Sequence, residues 1–515
     1  MKAAQSKTSY PPFWNSISEL ARQSKSLIVG VLAFAIVLAT TNGAEPSLAN
    51  AVESQDAEQL SSLLSSEADV NVAQIDGMTA LLWAAYHDDA GLGRELIERG
   101  ANASVTNRYG ITPLYLACVN GNGELVKDLL NAGIDPNTAI NGGETALLTA
   151  ARTGSIGAVS ALIDAGANVN GSERNGQTAA MWAAAEGHSE ILQTLLTSGA
   201  DFETPLERSG FNPFFFAIRA GHSQAVRVLL NAGADINSAM RPSNPRGKLP
   251  KRGTSPLLMA VENGHYDLAV ELLDAGADPN DARSGYTILH SLTWIRKPDF
   301  GESAAGDPEP QGSGKRTSLQ FIREIVQRGA NVNALLERGR KAGGGRVSAI
   351  GATPFFLAAD RADLAYMKLL VELGADPLMP NQDGTTPLLV AAGIGSTAPE
   401  EEAGSESECL AAAQYLVSLG ADINTVDANG ETAMHGAAYK NIPSMVHYLN
   451  EMGADIHLWN TNNKLKRTPL LIAEGYRPGN FKPSFATVDA IKAVILANGV
   501  ELPTGPKPKH TNYAN

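Results

Sequence analysis

NPFFFAIRAGHSQAVRVLLNAGADIN, residues 212–237, sets three phenylalanines side by side in a chain whose other landmarks are small, polar or charged. A short apolar run bounded by turn residues can be a buried strand, but here a helical pattern follows instead of a hairpin turn. Strings elsewhere in the chain decide the matter. MTALLWAA, ITPLYLAC, ETALLTAA and QTAAMWAA precede FNPFFFAI at a spacing close to 33 residues, anchored on Thr79, Thr112, Thr145, Thr178 and Asn212. The series continues at Ser255, Thr287, Thr353, Thr386, Thr432 and Thr468. Each unit closes on a version of GADIN, such as GANVN at 166–170 or GADPN at 276–280, and eleven units follow from the count.

Elementary chemistry explains the pattern. Thr, Asn and Ser accept hydrogen bonds as N-caps, Pro suits the first helical position, and Gly after the second helix suits a left-handed C-cap. Paired alanines such as Ala84–Ala85 and Ala183–Ala184 are small enough for close helix approach. One unit cannot bury its own apolar face, so the stack is the folding domain and stability is spread along it.

The pattern resembles the ankyrin-repeat family, whose unit carries Thr-Pro-Leu-His-x-Ala at a 33-residue period and folds as a turn plus two antiparallel helices. The resemblance covers residues 46–502. It implies an all-α ankyrin-repeat solenoid of helix-turn-helix units with β-hairpin or loop fingers, no enzymatic activity, no cofactor, and protein partners. The expected division is a signal peptide over 1–44, an N-terminal capping repeat over 45–75, regular repeats one to six over 76–280, repeats seven to eleven with insertions over 281–502, and a flexible tail over 503–515.

The start has the composition of an export signal. Lys2, Lys7, Arg22 and Lys25 precede LIVGVLAFAIVLA at 27–39, which is short for a membrane span and suits a secretory hydrophobic region. Small and polar residues follow, with cleavage expected near 41–44. The alternative is an uncleaved signal that anchors the chain to the inner membrane. Two cysteines, Cys118 and Cys409, are too few for a disulfide scaffold and sit in distant repeats, so the expected compartment is a periplasm or the secreted fraction. A net charge of −14 repels nucleic acid and anionic lipid.

Chemistry-bearing motifs are weak. GSGKRTS at 312–318 lacks the earlier Gly and the Ser or Thr after Lys315 that a phosphate loop requires. His188, His222 and His265 stand at the step between helices, and His290 and His435 occupy the family's His position, so structural hydrogen bonding is expected over metal ligation. Neither a nucleophile elbow nor a paired-carboxylate site is legible.

Recognition remains. Counting from the cap, the second position is core, which places Phe214 there, and the fourth is expected to face the concave groove. The candidate groove residues are Trp83, Tyr86, Ile111, Leu116, Trp182, Phe211, Phe216, Met259, Tyr286 and Trp294. Aromatic side chains at such positions anchor binding because they bury large areas at little rotamer cost. Two basic insertions, 238–252 and 334–351, fall where the fingers project, and Arg241, Arg246, Lys248, Lys251 and Arg252 in the first are candidates to clamp acidic groups. The leading expectation is a scaffold that binds a protein or extended peptide of unknown identity through this groove. The second is an accessory subunit of a periplasmic redox or stress-defence enzyme.

Overall fold

The computed structural model describes residues 47–66, 68–243, 250–299, 310–339, 347–477, 482–504 and 507. The expected signal segment, Arg246 and Lys248 lie outside them. The described residues form helices without a strand, and the hairpin fingers reduce to single antiparallel bridges, Ala139 with Thr145 and Ser172 with Thr178.

Two compact units divide the chain: Met1–Pro213 with Ser243–Pro250, and Phe214–Pro242 with everything from Lys251 on. The first opens on the short pair Leu48–Glu53 and Ala57–Ser65, followed by the pairs Ala80–Tyr86 and Ala90–Glu98, Pro113–Asn120 and Gly123–Asn131, Ala146–Thr153 and Ile156–Asp164, Ala179–Glu186 and Ser189–Thr197. First helices pack on first helices and second on second, which makes two layers. The second unit continues the scheme, for example with Pro256–Glu262 and Tyr266–Asp274, Ile288–Arg296 and Ser318–Gln327, Pro354–Asp360 and Leu364–Glu372, and ends on Phe485–Ala497.

Each first helix starts where cap chemistry dictates. The hydroxyls of Thr79, Thr112, Thr145, Thr178, Ser255, Thr353, Thr386 and Thr468 all accept the backbone N–H three residues on. In the seventh and tenth repeats that third residue is a buried histidine. His435 Nδ1 accepts from the Thr432 backbone N–H (3.3 Å) and faces the Thr432 hydroxyl (3.0 Å), while its Nε2 lies 3.2 Å from the Thr461 carbonyl of the next repeat. His290 repeats the arrangement between Thr287 and Ala352. The Nε2–H tautomer satisfies all of these contacts, and an added proton at Nδ1 would confront the cap N–H. Burial pulls both imidazoles down to about 4.

The turn before the cap is closed in the same way in nearly every repeat. Gln74 N–H bonds to Met78 O and Gly77 N–H to Gln74 O, and the same pair recurs at Asn107, Ile140, Glu173, Leu206, Met240, Leu336, Asn381 and Asp427. The second member is a glycine with positive φ, from Gly77 to Gly430, two residues before the cap. The last repeat closes likewise through Lys466 at φ 58°. The basic insertions therefore grow from an ordinary turn whose base, Met240 with Gly253–Thr254 or Leu336 with Gly351–Ala352, is intact.

Successive repeats are tied by the asparagine that ends GADxN. Asn170 Nδ2 donates to Gly199 O (3.0 Å) and its Oδ1 accepts from Asp201 N–H (2.7 Å), both in the next repeat. Asn71, Asn137, Asn237, Asn280, Asn333 and Asn424 make the same two-ended clamp. Ser104, Glu203, Leu378 and His457 stand at the equivalent positions elsewhere. Asn170→Ala is expected to destabilise the array by about 0.5–1.5 kcal/mol, since two backbone groups exchange their partner for water at an exposed site. Urea unfolding checks it, and Ser104→Ala serves as the neutral control.

A titration follows from the buried histidines. A His pKa lowered on folding means that the stability is present above its unfolded value near 6.5 and is lost as pH falls toward about 4. Between pH 7 and pH 5 the parent chain is expected to lose about 2 kcal/mol more than His435→Gln. Denaturant midpoints of the two proteins at both pH values measure the difference.

Candidate functional site

The face where the first helices meet the turns carries the groove positions, and its side chains are bound to one another. Trp83 Nε1–H donates to Gln74 Oε1 (2.8 Å) of its own turn, and Gln74 in turn donates to Asn50 and Glu53 of the capping repeat. Tyr86 meets Trp83 edge-on at 5.4 Å and His87 stacks on it at 5.6 Å. Across the third and fourth repeats, Glu144 accepts from the Thr149 hydroxyl (3.0 Å) and pairs with Arg152 (2.8 Å), whose guanidinium lies over the Trp182 ring at 5.4 Å. The Tyr115 phenol beside Arg152 is raised, chiefly by burial and then by Glu144.

The second unit builds a similar cluster. Tyr286 donates its hydroxyl to Glu262 (2.9 Å), meets Trp294 edge-on at 4.9 Å, and carries the Lys251 ammonium over its ring at 4.5 Å. Burial raises Glu262, against the pull of the Tyr286 hydrogen bond. Glu431 is pushed up to about 7 by burial and by Asp427, although Tyr439 and Asn463 both donate to it.

These contacts correct the groove assignment. Trp83, Leu116, Phe211, Phe216, Met259 and Tyr286 are buried, and Tyr86, Ile111, Trp182 and Trp294 are partly exposed. Phe216 is 5% exposed against 1% for Phe214, so the fourth position of that repeat is core and not an open anchor. The second, third and fourth positions of that repeat, Phe214, Phe215 and Phe216, are all buried. Among the basic residues, Arg241, Lys251 and Arg252 are exposed, and the Lys251 ammonium rests over the Tyr286 ring. Glu144, Arg152, Glu262 and Glu431 were missed as members of this face. The signal was available for Glu144 and Glu431, each an acidic residue directly before a threonine cap.

The other sequence candidates settle as structure. GSGKRTS folds onto the helix Tyr266–Asp274: Ser313 N–H donates to His265 Nδ1 (2.8 Å), Lys315 N–H to Asp267 (2.8 Å), and Arg316 pairs with Asp267 and Glu324. His265 and His188 reach the carbonyls of Arg219 and Arg152 in the preceding repeats. Cys118 and Cys409 are buried free thiols, both pushed up by burial. Among the described residues no cluster of His, Cys, Asp and Glu could hold a metal ion, and no helix is long and apolar enough to cross a membrane.

Comparison with known families matches residues 48–140 and 138–205 to Ankyrin repeats (3 copies), 181–230 and 402–450 to Ankyrin repeats (many copies), and 252–284 to Ankyrin repeat. The chain belongs to the ankyrin-repeat family. Ankyrin repeats are generally protein–protein interaction modules and typically non-enzymatic scaffolds. Between the matched segments, the pairs Ile288–Arg296 with Ser318–Gln327 and Pro354–Asp360 with Leu364–Glu372 keep the ankyrin architecture despite their insertions.

Because both rings are buried, Phe216→Ala is expected to cost about 3–5 kcal/mol, comparable to Phe214→Ala. Thermal or urea unfolding of the two variants side by side tests the equivalence; a Phe216→Ala protein as stable as the parent would restore the open-groove assignment.

Proposed function

We propose that the chain is an exported, non-enzymatic ankyrin scaffold that binds a protein partner along the turn-flanked face of its first four repeats, and that the exposed Arg241 and Arg252 of the second unit speed the encounter electrostatically. The supporting observation is the apolar edge of that face. Ile75 at the first turn is fully exposed and Tyr109 at the second is 43% exposed, with the partly open Tyr86, Ile111 and Trp182 at the helices behind them. Arg108 lies 4.7 Å from the Tyr109 ring centre and donates to its hydroxyl, which holds the ring in place before a partner arrives. Trp182 is likewise held by Arg152. Pre-positioned aromatic groups lose little entropy on association, and this is the property of interface anchors.

The test is a capture from periplasmic extract followed by titration. Trp182→Ala is expected to remove about 2 kcal/mol of binding, and Ile75→Ser with Tyr109→Ser a comparable amount, with melting little changed. Arg241 and Arg252 exchanged for Ser should slow association at low ionic strength, because exposed charges act on encounter. Undiminished capture by all three variants would overturn the assignment of this face. The same preparation reports export, with a mature N-terminus expected between residues 41 and 46.

A further inference from the structure

The eleventh repeat ends on Phe485–Ala497, a helix of 13 residues where second helices such as Gly123–Asn131 and Ile156–Asp164 have 9. Among the described residues no helix follows it. Its inner side buries Val488, Ile491, Val494 and Ile495, and the helix packs on Pro443–Glu451 and Pro469–Ala473. Its outer side carries Phe485, 75% exposed, and Leu496, 58% exposed, with Asp489 exposed and Lys492 half-buried between them. Beyond the helix the chain returns to the layer of first helices, where Lys507 Nζ meets Glu474 (2.9 Å) at the end of Pro469–Ala473.

The outer side is one that inner repeats bury. Seven residues before the closing glycine of a second helix stand Val126, Val159, Val226 and Val446, all buried, and the same count from Gly499 gives Lys492. The ends of a repeat array need a polar outer face to stay soluble. The opening repeat meets that need, since Ala57–Ser65 exposes Glu58, Ser61, Ser62 and Ser65. Phe485–Ala497 meets it by halves: Asp489 and Lys492 are polar, and Phe485 and Leu496 remain as open apolar groups at either end of them.

The order of these four residues is self-complementary. They stand at i, i+4, i+7 and i+11, which keeps them within about 60° of one another around the helix. Read backward, apolar–acidic–basic–apolar becomes apolar–basic–acidic–apolar. An antiparallel copy therefore sets each charge on its opposite and each apolar group on an apolar group, whereas a parallel copy sets like charge on like, which is unfavourable. Neither the Asp489 carboxylate nor the Lys492 ammonium has a partner among the described residues, and the exposed Ala486 and Ala493 beside them are small enough for close approach. We propose that the chain forms a two-fold homodimer through this helix, Phe485 of each copy packing on Leu496 of the other and Asp489 of each facing Lys492 of the other. Two helices about 20 Å long bury less than the roughly 1,200–2,000 Å² of a standard interface, so the dimer forms at on the order of 10–100 µM. It uses none of the residues assigned to the partner-binding face.

The experiment is analytical sedimentation of the full chain from about 1 to about 500 µM. A salt concentration of about 0.15 M screens the general repulsion between copies that each carry a net charge of −14. The parent is expected to pass from monomer to dimer across this range, and Leu496→Ser or Phe485→Ser to weaken the association about tenfold or more, with melting unchanged because both side chains are exposed. Charge exchange tests the antiparallel register. Asp489→Lys leaves two cations in the stripe and Lys492→Asp two anions, so each variant alone is expected to remain monomeric, while an equimolar mixture of the two regains a dimer containing one of each. A parent that stays monomeric throughout, dimerisation undiminished by Leu496→Ser, or a mixture no more associated than its components would each overturn the proposal. So would a monomeric full chain whose shortened form, ending at Lys507, associates, since the tail would then be what covers the stripe. None of these outcomes bears on the face of the first four repeats, which is probed by capture.

Discussion

One asparagine side chain reaching from the end of most repeats to two backbone groups of the next is the contact on which the array depends. Its amide both donates and accepts, so the glycine carbonyl and the following N–H are satisfied at once. The clamp fixes the offset between repeats. With the offset set, first helices meet first helices, and the alanine pairs come close enough to exclude larger groups. Other hydrogen bonds between repeats, such as Arg174 N–H to Gly142 O and the Ser155 hydroxyl to Gly121 O, reinforce the same register.

The consequences run outward from that register. Because every turn lies beside the next, the closed Gln74–Gly77 geometry and its counterparts place acidic residues just before a cap within reach of the adjoining helix. Glu144 then meets Thr149 and Arg152, and Glu431 meets Tyr439 and Asn463. These polar clusters replace the open aromatic groove that a position count suggests. They hold the rings of Trp83, Trp182 and Tyr286 through hydrogen bonds or cation–π contact, while Ile75 and Tyr109 are exposed at the turns and Trp182 stays partly open.

The two histidine caps show how a small change in residue type alters the behaviour of one repeat. Most caps use a hydroxyl alone. At Thr287 and Thr432 the imidazole joins the cap to the next repeat's backbone, and burial keeps it neutral, which makes those junctions sensitive to acid. Glu431, raised to about 7, acts in the opposite sense: its contribution is present below its ordinary pKa near 4.5 and fades as pH rises through 7. The tenth repeat thus holds two groups whose pH dependences oppose each other.

Much of the architecture was legible in the amino-acid sequence. The threonine caps, the proline at the next position, the left-handed glycines and the closing asparagines are local requirements, and each is met by one or two residue types that recur at fixed spacing. The period then states the fold. The glycine two residues before each cap was equally readable, since positive φ leaves few alternatives, and the acidic residue before a cap could have pointed to the clusters of Glu144 and Glu431. What only the tertiary structure decided was which faces remain open. Phe214 and Phe216 look different by position, yet both are covered, because exposure depends on tertiary packing and not on the local pattern. A cavity of about 300 Å³ lined by Ser396 and Lys440 is of the same kind. It exists because Gly393 and Gly395 on one loop and Gly436 on the next repeat's first helix let two backbones touch, and close approach is a property of pairs of segments that no single segment encodes.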